Sequence, residues 1–473
     1  MANPAETSSP LEETIIIGGG ISGLATAWFL HRSGRGVRLL EASPAVGGVI
    51  RTLDHPPYRH EQGPNSTLQK PGGADDALGR MVASLGLQSR LCEANAAAGK
   101  RFVLKGARLQ PLPDSPVAFL RTPLFSWRAK LRLLMEPWVR RGREEESIAA
   151  FVRRRLGQEF LDYAVEPFVS GVWAGDPERL SVRAAAARIH ALEERYGSLL
   201  RGALAMGRVA KGAGMPRGRL VSFDTGMGLL PETIAARLPP GSVTCDAEVI
   251  ALRPQAGGWQ LTLKGGELQW GRRVVLALPA LAAARLLRDF APGAADLLEG
   301  IAYGPIAILA IGYPRRNVEH PLDGFGFLAP RREGVALLGG LFSSTLFPGR
   351  AEAGRVLVTL FAGGRMGEAF LRTEDARLKA HLTGELAGIL GISGDPERVH
   401  LTRIPRAIPQ YELGHLERLA ELDRILAPFP GLYTRGNWRD GISVADCIRN
   451  GERLATVIGG EKGAGRSDGG EPT

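Results

Sequence analysis

The sequence predicts an α/β protein: a βαβ opening, then an α-helical insert, then a second, mixed sheet. Three observations carry this. Thr14–Ile17 (TIII) is a β-branched run that stops on three glycines, as a buried strand does. From about Phe119 to Leu200 the pattern turns helical. Residues 301–362 hold short apolar runs parted by Gly and Pro, the mark of a multistranded sheet.

Taken in order, Ile21–Ser33 reads as a helix and Val37–Leu40 as the second strand of the opening unit. The Pro-rich stretch 111–123 leads into helices at Trp127–Trp138, Glu144–Leu156, Glu159–Val169 and Val182–Tyr196. Strand character returns at Leu220–Phe223. Thr244–Leu252, Gly258–Leu263 and Arg273–Ala277 read as a small antiparallel unit, and residues 374–390 and 441–458 as helices. The expected organisation is a split first domain (13–95, 206–300 and 406–460), a helical insert (96–205), a sheet domain (301–405) and flexible tails (1–12 and 461–473). A chain of 473 residues is too long for one simple core, in keeping with two or three domains.

Composition narrows the function. Hydrophobic residues at 44% and charged residues at 23% exclude disorder as the general state. Cys92, Cys245 and Cys447 lie far apart and suggest neither a disulfide framework nor a metal cluster, which fits a reducing compartment. No apolar run reaches the ~18 residues of a spanning helix, and the acidic N-terminus lacks the basic n-region of a signal peptide. The formal charge of +10 admits nucleic acid, a membrane surface or an anionic substrate as partner. Without a zinc-finger or helix-turn-helix signature, or a dense basic tail, nucleic acid is not expected. Only eight of the 59 basic residues are Lys; the 51 Arg, beside abundant Ala and Gly, also reflect compositional bias.

The chemistry begins at Gly18-Gly19-Gly20-Ile21-Ser22-Gly23, a Gly-x-Gly-x-x-Gly between strand and helix. Gly18 permits the tight turn, Gly20 lets a pyrophosphate approach the backbone, and Gly23 lets helix and strand pack closely, with the helix N-terminus facing the phosphates. Glu41, 18 positions after Gly23 and closing the next strand, suits a ribose hydroxyl. After it come Ala42 and a second glycine turn, Gly47-Gly48-Val49-Ile50-Arg51-Thr52, which resembles the second motif of two-dinucleotide-binding flavoproteins and favours FAD over NAD. Arg51 can hold pyrophosphate. Near the C-terminus a strand ends at Gly436 and Gly441-Ile442-Ser443-Val444 opens a helix, whose N-terminus would favour negative charge on a flavin. The expected fold is a Rossmann-type FAD-binding domain with a mixed-sheet substrate domain and an α-helical insert.

Ordered blocks along almost the whole chain resemble the oxygen-dependent protoporphyrinogen oxidase and coproporphyrinogen III oxidase family, of monoamine-oxidase-like fold. They are Ile17–Leu24 (IGGGISGL), Glu61–Ser66 (EQGPNS), Lys100–Phe102 (KRF) leading to Leu112-Pro113, Glu166–Pro177 (EPFVSGVWAGDP), Gly324–Pro330 (GFGFLAP), Leu341–Pro348 (LFSSTLFP), Ile408–Glu417 (IPQYELGHLE) and the C-terminal block. The resemblance implies non-covalent FAD held by Gly18, Gly19, Gly20, Ile21, Ser22, Gly23, Glu41, Ala42, Gly48, Val49, Arg51, Gln62, Gly63, Pro64, Asn65, Val249, Gly436, Ile442, Ser443 and Val444. It implies a substrate slot with Arg101 toward a propionate, Phe168 and Gly171 beside the tetrapyrrole, and apolar walls at Phe325, Leu328, Leu341 and Phe361. Two departures stand out. Ala174 occupies the first of two positions that are glycine in plant members, and Ile404 replaces an aromatic found near the flavin in many members.

The implied reaction removes six electrons from protoporphyrinogen IX in three rounds, with dioxygen as acceptor and hydrogen peroxide as product. Coproporphyrinogen III is the alternative substrate. The flavin carries the chemistry, so neither a catalytic triad nor a metal is expected, and the eight histidines form no motif. An amine oxidase, a carotenoid desaturase, and a lipid carrier of the Rab GDP-dissociation-inhibitor type are more distant readings; the segment Asn437-Trp438-Arg439-Asp440-Gly441 departs from the Trp-Glu-Gly motif of amine oxidases. Ser115–Val139 mixes aromatics and leucines with Arg121, Arg128, Lys130 and Arg132, a pattern suited to anionic lipid. The resemblance adds peripheral docking at the cytoplasmic face of the inner membrane, a homodimer and hand-over to ferrochelatase as expectations.

Overall fold

In the computed structural model the described residues are 12–70, 76–212, 218–364, 367 and 372–460. Of the expected tails 1–12 and 461–473, residues 1–11 and 461–473 lie outside them, and Glu12 belongs instead to the first strand. Two seven-stranded sheets organise the chain.

The first sheet grows around the strand Glu12–Ile17. It runs parallel to Val37–Leu40 on one side and to Leu268–Leu276 on the other, and Val243–Thr244 and Leu432–Thr434 extend the parallel part. Both faces are covered, which is why the run is apolar at successive positions. Ile16 packs with Leu24 and Leu30 of the helix Ile21–Arg32. Ile15 and Ile17 pack with Ala280, Ala283, Ala294 and Leu422 from helices on the other face. The helix Val444–Gly460 lies so close to Ile21–Arg32 that a Cβ on Gly451 would sit 2.9 Å from the Ala25 Cβ. The antiparallel unit expected at 244–277 is not free-standing. Leu268–Leu276 pairs antiparallel with Gly258–Leu263 through Gly271, then parallel with Glu12–Ile17 through Leu276.

The second sheet runs in the order Arg398–Pro409, Tyr303–Pro314, Arg355–Gly363, Leu337–Leu341, Gly326–Leu328, Arg101–Lys105, Arg108–Pro111. Its strand Tyr303–Pro314 is buried throughout. One face, through Ala307, Leu309 and Ile311, packs on Leu378, Leu382, Leu386 and Leu390, a four-residue stripe along the helix Asp375–Leu390. The other face turns Ile306 and Ile308 toward Ala174 and Ala310 toward Tyr58.

Helices from Pro116–Arg121 to Leu199–Gly212 form the insert. All four helices expected in the insert differ in detail. Glu144–Leu156 starts only at Ile148, capped by Ser147, and ends at Arg155. Trp127–Trp138 ends at Leu134, and Pro137 sits in a 3-10 turn. Glu159–Val169 belongs to a continuous run from Gln158 to Trp173, with a π-turn over Leu161–Val165 just before Pro167, which has no N–H to give. Val182–Tyr196 breaks at Ala186. Inside the insert, the fully buried Arg155 pairs with Glu136 and Glu193. Glu136 also accepts from the Ser198 hydroxyl and from the Leu199 and Leu200 amides, capping the following helix.

Candidate active site

The glycine fingerprint forms a loop closed on one side and open on the other. Gly18 adopts φ 108°, and a Cβ there would lie 2.4 Å from the Ala277 carbonyl oxygen. A Cβ on Gly23 would lie 2.0 Å from the Gly18 oxygen, whereas one on Gly20 would meet nothing within 4 Å. The N-terminus of Ile21–Arg32, with Ile21 and Ser22 in its first turn, faces this opening. Glu41 is fixed beside it: Oε2 accepts from the Gly19 amide at 2.6 Å and Oε1 from the Ser43 amide and hydroxyl. The second glycine turn sits on the first, with the Gly47 amide donating to the Gly19 oxygen at 2.8 Å. Ala42, Gly48 and Val49 are exposed there, and the Arg51 Nε is buried with no hydrogen-bond partner among the described residues. An open glycine cradle, a carboxylate at the next strand end and a guanidinium with an unused donor fit FAD.

The turn Gln62-Gly63-Pro64-Asn65 lies against this cradle. The Gln62 amide donates to the Arg51 oxygen at 2.9 Å, and a Cβ on Gly63 would be 2.1 Å from the Val49 oxygen. Its anchor is Glu61, to which the sequence alone assigns no role. Glu61 accepts from the Thr52 hydroxyl at 2.6 Å and the Met227 amide at 3.0 Å, and pairs with the buried Arg350 at 3.0 Å. Burial pushes the Glu61 carboxyl up and the Arg350 guanidinium down; each draws the other back toward the charged form. Val249 is half-buried on its strand, just beyond Ala247, whose amide donates to the Glu41 oxygen. Gly436 lies against Leu278, whose side chain borders Gly18. Ile442 and Ser443 precede the helix that starts at Val444, and that helix packs on the fingerprint helix. The expected FAD positions thus gather where the parallel strands end.

Several residues expected in the substrate slot come together through strand register. One cross-strand row reads Arg101, Gly326, Leu341, Thr359, Ala310, His400; the next reads Val103, Leu328, Gly339, Phe361, Ile308, Thr402. Paired residues share a face, and alternate positions along each strand keep it, so Arg101, Leu328, Leu341 and Phe361 look the same way. Phe325 lies beneath the Arg101 guanidinium, 5.4 Å from it to the ring centre. The helix Glu166–Trp173 crosses above: a Cβ on Gly171 would be 2.7 Å from Leu328 Cδ2, and Phe168, one turn earlier, is 55% exposed. Phe325, Leu328, Leu341 and Phe361 are half-buried, whereas Phe327, Leu337 and Leu360 beside them are buried on the helix-covered face. Phe325 and Leu341 pack in part on Leu346 and Phe347, and Phe361 in part on Ile306 and Ile308. Lys100 is paired with Asp323, while Arg101 rests on the Phe325 ring and has no carboxylate partner among the described residues.

Ala174 ends that helix in the left-handed region, at φ 45°, and packs on Ile306 and Ile308. A glycine would adopt this backbone without steric cost. Ile404 stands opposite Ile306 at the edge of the same face. The histidines, unremarkable as a sequence pattern, are less scattered in space. His55, His60 and His400 form a file with ring centres 6.2 and 4.7 Å apart, and the Gln62 amide reaches His400. Burial holds the His60 imidazole down at about 4. No group of three or more His, Cys, Asp or Glu among the described residues is arranged to hold a metal ion.

The basic stretch 121–132 needs one correction. Lys130 is buried and donates to the Leu120 and Thr122 carbonyl oxygens, so it locks the loop between two helices instead of facing lipid. Arg132 likewise donates to the Arg153 and Arg154 oxygens. Leu124 and Phe125 belong to the insert core. Leu120, Trp127, Leu131, Leu134, Met135 and Trp138 are exposed, the last at 70%. No helix among the described residues is long and apolar enough to cross a membrane.

The chain is similar to known proteins along nearly its whole length. The family model described as flavin containing amine oxidoreductase matches residues 21–459. The chloroplastic protoporphyrinogen oxidase of Oryza sativa subsp. japonica is 34% identical over 478 residues, covering 94% of this chain and 88% of that protein. The coproporphyrinogen III oxidase of Bacillus subtilis is 29% identical over 461 residues, covering 93% and 96%. A crystal structure from Exiguobacterium sp. 255-15, of a protein proposed to be a protoporphyrinogen oxidase, shares the fold with a TM-score of 0.82 at 24% identity, covering 95% of this chain and 99% of that one.

Proposed function

The chain belongs to the flavin-containing amine oxidoreductases, among the protoporphyrinogen and coproporphyrinogen III oxidases, and is an FAD-dependent oxidoreductase acting on a porphyrinogen; we propose that its substrate is protoporphyrinogen IX. The observation that supports this reading is the pair of cross-strand rows, which line up one cation and an apolar wall on one face of the second sheet, with His400 at the end of the first row meeting Gln62 of the expected cofactor turn. Bound FAD supplies the acceptor for the hydrogens that leave the macrocycle. One porphyrinogen and three dioxygen molecules give one porphyrin and three hydrogen peroxide molecules.

The chain's own residues do the rest. Leu328, Leu341 and Phe361 offer an apolar floor, and the helix carrying Phe168 and Gly171 closes over it and excludes water. Arg101, cushioned on Phe325, meets a propionate with its planar fork. Arg101→Ala is expected to raise KM for protoporphyrinogen about tenfold, as loss of a charged hydrogen bond at a partly wet site does, while kcat changes less; an unchanged KM removes the propionate role.

One feature favours coproporphyrinogen III as a second reading. A cleft of about 530 Å³ lies beyond Ile306 and Ile404, with Arg372, Arg403 and Arg406 in its lining. Arg403 is held by Asp375, and the Arg372 and Arg406 guanidiniums have no carboxylate partner among the described residues. The sheet carries Arg101 five strand spacings, about 24 Å, from this edge, a span that the arginine side chains shorten from both ends. Propionates at both ends of a four-carboxylate macrocycle would suit such an arrangement. Paired kcat/KM values on the two porphyrinogens decide: preference for protoporphyrinogen supports the first reading, preference for coproporphyrinogen the second.

The exposed apolar patch at Trp127, Leu131, Leu134 and Trp138, with Arg121 and Arg128 beside it, supports peripheral docking on anionic lipid. Co-sedimentation with anionic vesicles is expected to drop several-fold in Trp127→Ala/Trp138→Ala; vesicle binding that the double variant leaves intact counts against this surface.

A further inference from the structure

We propose that Tyr411 is a positioning residue that fixes the cofactor-facing segment 437–443, the short helix Asn437–Asp440 and the turn after it, against the end of the helix Glu166–Trp173. This rests on the reading of Ile442–Val444 as FAD-facing. Gln410 and Tyr411 follow directly on the strand Arg398–Pro409 and are buried, at 2% and 5% exposure. Each ties the strand end to a different part of the site. Gln410 Nε2 donates to the Trp173 and Ile408 oxygens, both at 2.8 Å, so it holds the last turn of the helix that carries Phe168 and Gly171. The Tyr411 hydroxyl donates to the Asn437 oxygen at 2.5 Å and accepts from the Gly441 amide at 2.8 Å, closing both ends of the turn that delivers Ile442.

The ring is fixed as tightly as the hydroxyl. Trp173 meets it edge-on at 5.0 Å between centres, and His415 stacks on it at 4.2 Å and 12°. Ile442 packs into the same apolar cluster as Trp173 and Tyr411. A phenol suits this position because one hydroxyl can donate to a carbonyl while accepting from an amide. Phenylalanine would preserve the packing and leave both backbone groups without that partner. The orientation of the turn sets where the amides preceding Val444–Gly460 point, and helix N-termini favour negative charge. Through Gln410 and Tyr411, occupancy of the slot beneath Phe168 bears on the surroundings of the cofactor.

The test compares wild type and Tyr411→Phe. Expected are an FAD Kd raised about fivefold to tenfold, a more negative flavin midpoint potential, a lowered kcat with KM for the porphyrinogen within twofold, and faster deuterium exchange at the Gly441 amide of the flavin-free chain. A Kd, a potential and a Gly441 exchange rate all equal to wild type overturn the proposal. If Tyr411→Phe does not fold, exchange in the wild type decides: a Gly441 amide as labile as an open loop overturns the clamp, and a protected one supports it. Failure of wild type to bind FAD at all refutes the cofactor reading beneath the proposal, an outcome distinct from wild type binding FAD with the variant unchanged.

Discussion

Gly23→Ala is expected to yield a chain that no longer retains FAD. The added Cβ would stand 2.0 Å from the Gly18 oxygen and 3.1 Å from the Ala277 Cβ. Neither can give way easily. Gly18 is held by its amide to the Leu40 oxygen, and Ala277 by its amide to the Ile17 oxygen, both within the parallel sheet. Relief therefore has to come from moving the fingerprint helix away from the strand, which pulls the Gly20 opening apart. Overpacking of this kind costs about 1–3 kcal/mol, borne where the pyrophosphate sits. Gly20→Ala makes a contrast: its Cβ meets no protein atom within 4 Å, so the flavin-free chain should melt as wild type does while FAD is still excluded. Flavin absorbance of the purified proteins and melting of their flavin-free forms check both. Full flavin retention by Gly23→Ala contradicts the cradle.

Arg155→Met is expected to lower stability by about 3–5 kcal/mol, the cost of removing one partner from a buried ion network. Arg155 Nη1 lies 2.9 Å from Glu136 Oε1 and also donates to the Val139 oxygen, while its Nε lies 2.9 Å from Glu193 Oε1. Glu136 is fully buried and Glu193 nearly so, leaving two carboxylates in the insert interior with less countercharge. Burial alone would raise the Glu193 carboxyl; hydrogen bonds from Arg154 and Arg155 hold it below the usual range, and that contribution to stability is lost as pH falls through its folded value. Because Glu136 caps Leu199–Gly212, the insert should loosen before the cradle does. Chemical denaturation followed by insert tryptophan fluorescence and by flavin release measures the difference. Coincident, unshifted transitions contradict it.

Much of the cofactor side is legible in sequence because its signals are local. A β-branched run, three glycines and an acid at the next strand end all lie within about thirty residues, and backbone sterics alone dictate what they do. The proposed substrate wall is different. Leu328 and Leu341 lie on short, glycine-containing strands and Phe361 on a strand buried at nearly every position, where periodicity cannot assign a face; the family resemblance points to them, and strand register brings them together. Lys130 reads as a lipid-facing cation because charge in a basic run reads as exposed, yet two carbonyl oxygens bury it. Likewise His60 and His400, and Tyr411 with Gly441, are distant in sequence and meet only through tertiary packing. Many of the arginines behind the basic composition pair with carboxylates at the surface, as Arg153, Arg179 and Arg183 do, whereas Arg101 stands over the Phe325 ring without such a partner among the described residues.

In the proposed reaction the slot presents a porphyrinogen to FAD. Mixing the flavin-loaded protein with protoporphyrinogen IX in the absence of dioxygen tests it most directly. The flavin band is expected to bleach with one equivalent of porphyrinogen and, on admitting dioxygen, to recover with porphyrin fluorescence. A flavin that stays oxidised in the presence of both protoporphyrinogen and coproporphyrinogen would contradict it.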